Sequence, residues 1–292
     1  MSFKESMPNV LSEKDYSFEP DKELEKNEEN KFEKDFLELV DSNFSKKDIL
    51  EINKALLIAK EVHEDQVQPD GQPYIEHPLE VATIIIEKFK LNKVDLVITA
   101  LLHDAMEDQS ERLFANYLEK NNFFSNSVFN ILNLRSFVGK FSDEIREIAY
   151  LEIKDNFNSL IAERIRRLSK PDFDDLIDSL NFDVTPEKRQ KIKNKMYREY
   201  FSDLLEHNDQ GLGVIKCADL LNNISKNHLL TNGAKKKKLI NKYAPVIVDV
   251  VVPFLRKIEP EHCLYDNSQL ILRNFLEIYN RDFASVVDNK LN

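Results

Sequence analysis

Five glycines in a chain of 292 residues leave little room for anything but helices. Tight hairpins draw on glycine where φ is positive, so a sheet of many antiparallel hairpins would need more of them. Gly71, Gly139, Gly211, Gly213 and Gly233 fall in neither G-x-G-x-x-G nor G-x-x-x-x-G-K-[ST] spacing, which argues against a dinucleotide-binding loop and a P-loop. No sustained alternation of apolar and polar residues runs through the chain. The run VIVDVVV, residues 246–252, comes nearest, and a helix explains it as well. The expected fold class is all-α.

The apolar spacing supplies the helices. Ordered helix is expected from about Phe32. Ser45 is placed to cap the next one, in which Ile49, Ile52, Leu56 and Ala59 recur at helical spacing. A loop rich in Pro, Asp and Gly, Gln66 to His77, separates it from a helix opened by Pro78 and running to about Phe89. Lys93 to about Glu107 reads as one helix, and its stretch VDLVITALL is apolar enough to be buried on most sides. Further helices are expected over Phe141–Ile153, Leu160–Ser169, Glu187–Glu206 and Leu212–Asn227, then near Ala234–Ile258, kinked or broken by Pro245 and Pro253, and near Asn267–Asp288. This gives a polar leader over 1–31, disordered by composition, a main domain over 32–232, and C-terminal helices over 233–292 packed on it. Within the main domain, 109–156 reads as a lid, an interface or a loosely packed insertion.

Charge and cysteine content narrow the function classes. With 41 basic against 52 acidic residues the net charge is −11, which suits neither a general nucleic-acid binder nor a polybasic membrane anchor. The longest apolar stretch, Pro245 to Leu255, is broken by Asp249 and too short to span a bilayer. Two cysteines, Cys217 and Cys263, make no disulfide framework, and the N-terminal residues contain no apolar signal core. A cytoplasmic protein acting on a small molecule is expected, with no membrane and no nucleic-acid partner; the sequence leaves the oligomeric state open.

The segment HDAMED, His103 to Asp108, holds the most chemistry. On a continuous helix His103 and Glu107 are four apart, as are Asp104 and Asp108, so one face gathers an imidazole and up to three carboxylates. Next to the apolar VITALL such a cluster is either a solvated helix end or a divalent-cation site, and the segment alone gives the two equal weight. Three other segments shift the balance: HEDQVQPDGQPYIEHP (His63 to Pro78), IAERIRRLSKP (Ile161 to Pro171) and VIKCADLLNN (Val214 to Asn223). In this order the four blocks resemble the HD superfamily of metal-dependent phosphohydrolases, and more closely the RelA/SpoT-family domain that removes the 3′-diphosphate of guanosine tetra- and pentaphosphate. The resemblance covers about Ile52 to Asn227.

The resemblance implies that His77, His103, Asp104 and Asp219 hold one divalent ion, Mn²⁺. It implies that Glu107 and Asp108 position or deprotonate the attacking water and that Asn223 contacts the nucleotide. Lys216, Gln68, Tyr74, Lys170 and Lys226 are the further candidates for the substrate wall, although packing against the loop is the better reading of Tyr74 and Lys216 could equally face solvent. A cationic rim for a polyphosphate is expected from Arg164, Arg166, Arg167 and Lys170, unless they form an ordinary charged helix face. Outside the blocks, His63 reads as a structural hydrogen-bonder, His207, His228 and His262 as surface residues, and Cys217 as a small core residue. The chain departs from the family pattern at Gln68 (Arg in the pattern), Leu220 (Arg), Asn222 (His) and Lys226 (Thr). These changes leave the metal set whole and alter the substrate wall. They keep open another nucleotide such as NADPH, or a nucleotide sensor without turnover. About 65 residues follow Asn227, so the resemblance implies a hydrolase without a synthetase domain.

Overall fold

The computed structural model describes residues 31–68, 71–121, 142–179, 184–226 and 233–283. These residues are helical and contain no strand. The nearest approach to one is an isolated antiparallel bridge between Val67 and Pro73, which closes the loop that precedes the first candidate metal ligand. Gly71, with φ of 91°, turns that loop in the left-handed region that glycine adopts without strain. All but Lys31 of the leader expected over 1–31, and most of the middle of the 109–156 segment, lie outside the described residues, as does His228.

The helices are α1 (Lys31–Asn43), α2 (Lys46–Val62), α3 (Glu76–Thr83), α4 (Val94–Leu102), α5 (Ala105–Asp108), α6 (Ser110–Lys120), α7 (Ser142–Asn156), α8 (Ser159–Leu168), α9 (Phe173–Asp178), α10 (Pro186–Glu206), α11 (Gln210–Ser225), α12 (Gly233–Val246), α13 (Val252–Lys257) and α14 (Ser268–Asp282). α4 is the hub. Every residue from Leu96 to Leu102 is buried, as VDLVITALL predicts, and α2, α3, α8 and α11 surround it. At about 1.5–3 kcal/mol for each large apolar side chain withdrawn from water, this helix is a main source of stability, and the candidate site lies at its C-terminal end.

Ser45 caps α2 as expected, its hydroxyl accepting from the Asp48 amide at 3.3 Å. Pro78 does not open α3. The helix starts at Glu76, and Pro78 fits its third position because first-turn amides have no helical acceptor to lose. α3 continues into a π-helical turn over Ile84–Lys88. Neither Pro245 nor Pro253 ends the C-terminal helical run. A π-helical turn over Ile247–Val251 joins α12 to α13 and widens the backbone just before Pro253. Within the middle segment, α6 and α7 pack on each other around a small separate core of Phe114, Leu118 and Ile145. No helix of the described residues is long and apolar enough to cross a membrane.

The helix expected over Lys93–Glu107 is interrupted. α4 ends at Leu102 and α5 begins at Ala105. His103 Nδ1 donates to the Ala100 carbonyl at 2.8 Å. That carbonyl is the one a continuous helix would give to the Asp104 amide, so the imidazole competes with the helix for it. Adjacent residues on a regular helix do not face each other. At this turn His103 and Asp104 do, while Glu107 bonds Lys170 and Asp108 bonds Gln66.

Candidate functional site

Three elements converge at the end of α4. α3 supplies His77 from its first turn, the α4–α5 turn supplies His103 and Asp104, and α11 supplies Asp219. Ligand atoms of His77, His103 and Asp104 lie within 4.8 Å of one another, the one such group of His, Cys, Asp and Glu among the described residues. Asp104 Oδ2 is 3.1 Å from His103 Nε2 and 3.5 Å from His77 Nε2, and Asp219 Oδ1 is 3.4 Å from His77 Nε2.

The hydrogen bonds on the far side of each ring decide what faces the centre. The Ala100 carbonyl can only accept, so His103 carries its proton on Nδ1. The other ring nitrogen, Nε2, faces the Asp104 carboxylate. That nitrogen is buried without a hydrogen-bond partner. His77 is arranged alike, with Nδ1 2.9 Å from Asn222 Oδ1. Lone pairs aimed at carboxylate oxygens repel unless positive charge lies between them, and a proton or a divalent cation meets that need. Two imidazole nitrogens with carboxylate oxygens fit a first-row divalent ion.

The titration behaviour says the same. Burial alone would lower His77, but hydrogen bonds that it donates to the Asp104 and Asp219 carboxylates, and their charges, raise it to about 10. Burial would raise the Asp104 and Asp219 carboxyls; instead the neighbouring imidazoles hold Asp104 well below the carboxylate range, and Lys216 with the two histidines does so for Asp219.

The remaining candidates divide into those at the cluster and those turned away. Tyr74 donates its hydroxyl to Asp104 Oδ2 at 2.5 Å, and its ring lies on His63 (centroids 4.7 Å apart) with an edge contact to His77. Burial and the charges of Asp104 and Asp108 push its hydroxyl pKa far up, so it remains a donor. Lys216 is buried, 2.8 Å from Asp219 Oδ2, with its ammonium near the Tyr197 and Tyr200 rings. Asn223 donates to Asp219 Oδ1 at 2.5 Å. Glu107 is clamped by Lys170, which offers both its ammonium and its backbone amide, the latter at 3.1 Å. Asp108 accepts from Gln66 Nε2 at 2.9 Å, and Gln66 Oε1 is held by His63 Nδ1 and Gln109. Gln68 braces its own loop through the Pro73 carbonyl at 3.3 Å. Lys226 pairs with Glu80. Sequence reasoning passed over Glu80, although an acid three residues beyond His77 shares its helix face.

Of the residues expected to form a cationic rim, Arg164 is turned into the core and the other two arginines are ion-paired. Arg164 is buried and bonds Asp95 at 2.6 Å and Asp209 at 2.7 and 2.9 Å, tying together α4, α8 and the start of α11. Gly211 makes room for it, because a Cβ there would come within 2.5 Å of Arg164 Cζ. Arg166 and Arg167 both pair with Glu163. His207 and His262 are half-buried rather than superficial, each accepting a backbone amide at Nδ1. Cys217 is buried in the core, and burial pushes its thiol up to about 12, as suits a packing residue.

Residues 55–168 match the family described as HD domain. The bifunctional (p)ppGpp synthase/hydrolase SpoT of Escherichia coli is 30% identical over 129 residues, which are 44% of this chain and 17% of that protein. The guanosine-3′,5′-bis(diphosphate) 3′-pyrophosphohydrolase of Shigella flexneri is similar to the same extent. A GTP pyrophosphokinase of Myxococcus xanthus is 34% identical over 110 residues, 38% of this chain and 14% of that protein. The aligned region thus spans less than a fifth of these relatives.

Proposed function

We propose, from the premise that this chain carries an HD domain of the phosphohydrolase superfamily related to the RelA/SpoT hydrolases, that it is an Mn²⁺-dependent hydrolase of guanosine 3′-diphosphate 5′-di(tri)phosphate. The observation that carries this reading is the pair of buried imidazoles, each proton-locked at Nδ1, whose Nε2 atoms converge with Asp104 and Asp219. His77, His103, Asp104 and Asp219 would hold the cation, which supplies a water of lowered pKa and neutralises phosphate charge.

The chain's own residues account for the rest. Glu107 and Asp108 are the proton acceptors for the attacking water, each fixed by a partner: Lys170 for Glu107, Gln66 for Asp108. The water oxygen bonds to the phosphorus next to the ribose 3′ oxygen and the P–O bond to that oxygen breaks. The 3′ oxygen takes up a proton, and pyrophosphate and the nucleoside 5′-di- or triphosphate leave. Lys170, Lys216 and Asn223 border the cluster where an anionic substrate would lie, and Tyr74 and Gln68 line the loop beside it.

Product analysis tests this function. Purified protein with Mn²⁺ should convert guanosine tetraphosphate to GDP and pyrophosphate, with Asp219→Ala inert. Release of inorganic phosphate from NADPH instead would keep the metal chemistry and move the substrate, a reading favoured by the absence of an arginine at Gln68. Bound Mn²⁺ with no turnover of either compound would favour a sensor.

A further inference from the structure

Lys226 is well placed in sequence to meet substrate, three residues past Asn223, yet its ammonium is engaged with Glu80. Glu80 Oε2 also accepts from Asn222 Nδ2 at 2.9 Å, and Asn222 Oδ1 faces His77 Nδ1 at 2.9 Å. Four side chains from two helices therefore run in line from the protein surface to a ring of the metal cluster. Asn222 and Lys226 are four apart on α11 and its C-cap, His77 and Glu80 three apart on α3, so each helix presents both members on one face.

We propose that Lys226, Glu80 and Asn222 form a relay that sets the proton position on His77, and that Lys226 is a positioning residue for the metal rather than a substrate contact. The inference rests on the metal site of the preceding section. An asparagine amide is ambiguous: it offers an oxygen on one side and two N–H donors on the other. The Glu80 carboxylate, paired with Lys226, accepts from the amide nitrogen of Asn222. The amide oxygen is then the atom left for His77, and a carbonyl oxygen requires the proton to be on Nδ1. Nε2 is left with its lone pair toward Asp104 and Asp219. The ammonium of Lys226 pairs with the Glu80 carboxylate and holds it against Asn222. With that carboxylate displaced, nothing would fix which end of the amide faces His77. Were Asn222 then to turn its N–H donors toward His77 Nδ1, the ring proton would move to Nε2, and His77 could no longer ligate. Asn222 is buried, so no water is at hand to substitute for either bond. His103 needs no such device, because a backbone carbonyl fixes its ring.

The test is Mn²⁺ binding to the full chain by calorimetry without nucleotide, joined by KM on the nucleotide that the product analysis identifies. Asn222→Leu should weaken Mn²⁺ binding about 10- to 100-fold, the usual effect of removing the partner of a ligating histidine. Lys226→Met, at a partly exposed site where folding is not at stake, should weaken it several-fold while leaving KM at saturating Mn²⁺ within about twofold. The paired change Glu80→Gln with Asn222→Asp exchanges amide and carboxylate. It again gives His77 an acceptor, held by an amide donor, and should regain most of the affinity that Asn222→Leu loses. Lys226→Met with unchanged Mn²⁺ affinity and a raised KM would make Lys226 a substrate contact and overturn the proposal. So would a paired variant that binds Mn²⁺ no better than Asn222→Leu.

Discussion

Cation binding should expel a proton from His77. In the metal-free protein two carboxylates, at 3.4 and 3.5 Å from Nε2, outweigh burial and raise the imidazole to about 10. Mn²⁺ needs the same lone pair, so below that pH it competes with the proton. Each pH unit is then worth about tenfold in apparent affinity, ~1.4 kcal/mol. Between pH 6.5 and 8.5 the Mn²⁺ dissociation constant should fall about a hundredfold, ~2.7 kcal/mol. Calorimetric titration at pH 7.5 in two buffers of different ionisation enthalpy reads the stoichiometry directly, and about one proton per Mn²⁺ is expected. The same group bears on folding. A pKa raised above the ordinary histidine value stabilises the metal-free fold fully below about pH 6.5, and that contribution is lost as pH rises toward 10. Mn²⁺ should therefore raise the unfolding temperature more at pH 8.5 than at 6.5. A dissociation constant that is flat across this range, with no proton released, would refute the arrangement of His77 between Asp104 and Asp219.

Other consequences concern residues around the cluster. Arg164→Met should destabilise the fold by about 3 kcal/mol in denaturant unfolding, since Asp95 and Asp209 lose their shared partner. KM for the nucleotide should be unchanged; a raised KM with intact stability would restore Arg164 to a substrate rim. Glu107→Gln should keep Mn²⁺ affinity and lose about 10²- to 10⁴-fold in kcat, and equal rates would remove Glu107 from proton transfer. Gln68→Arg should lower KM for guanosine tetraphosphate if that is the substrate, and an unchanged or higher KM would count against a nucleotide contact at this position.

The sequence was informative where chemistry depends on residue type and spacing. The HDAMED block, the His-Pro at 77–78 and the Asp219–Asn223 pair name the converging residues without any coordinates. The all-α class likewise follows from scarce glycine and the buried run on α4. Reading failed where one side chain decides between two backbone options. No periodicity tells that His103 takes the Ala100 carbonyl and breaks the helix, which is what lets adjacent His103 and Asp104 face one point. It failed again for charges. Arg164 belongs to a basic run, but its carboxylates come from Asp95 and Asp209, 69 and 45 residues away in sequence, and local pattern carries no trace of them. Pro78 misled by two residues because proline is tolerated throughout a helix's first turn.

The most direct test of the metal-dependent hydrolase is a titration of metal-stripped protein with Mn²⁺, following bound ion and nucleotide cleavage together. Activity should rise from zero and reach its plateau at one equivalent, and His103→Ala and Asp219→Ala should each lose both the bound ion and the turnover. Full turnover by the stripped protein, or by either variant, would contradict the account.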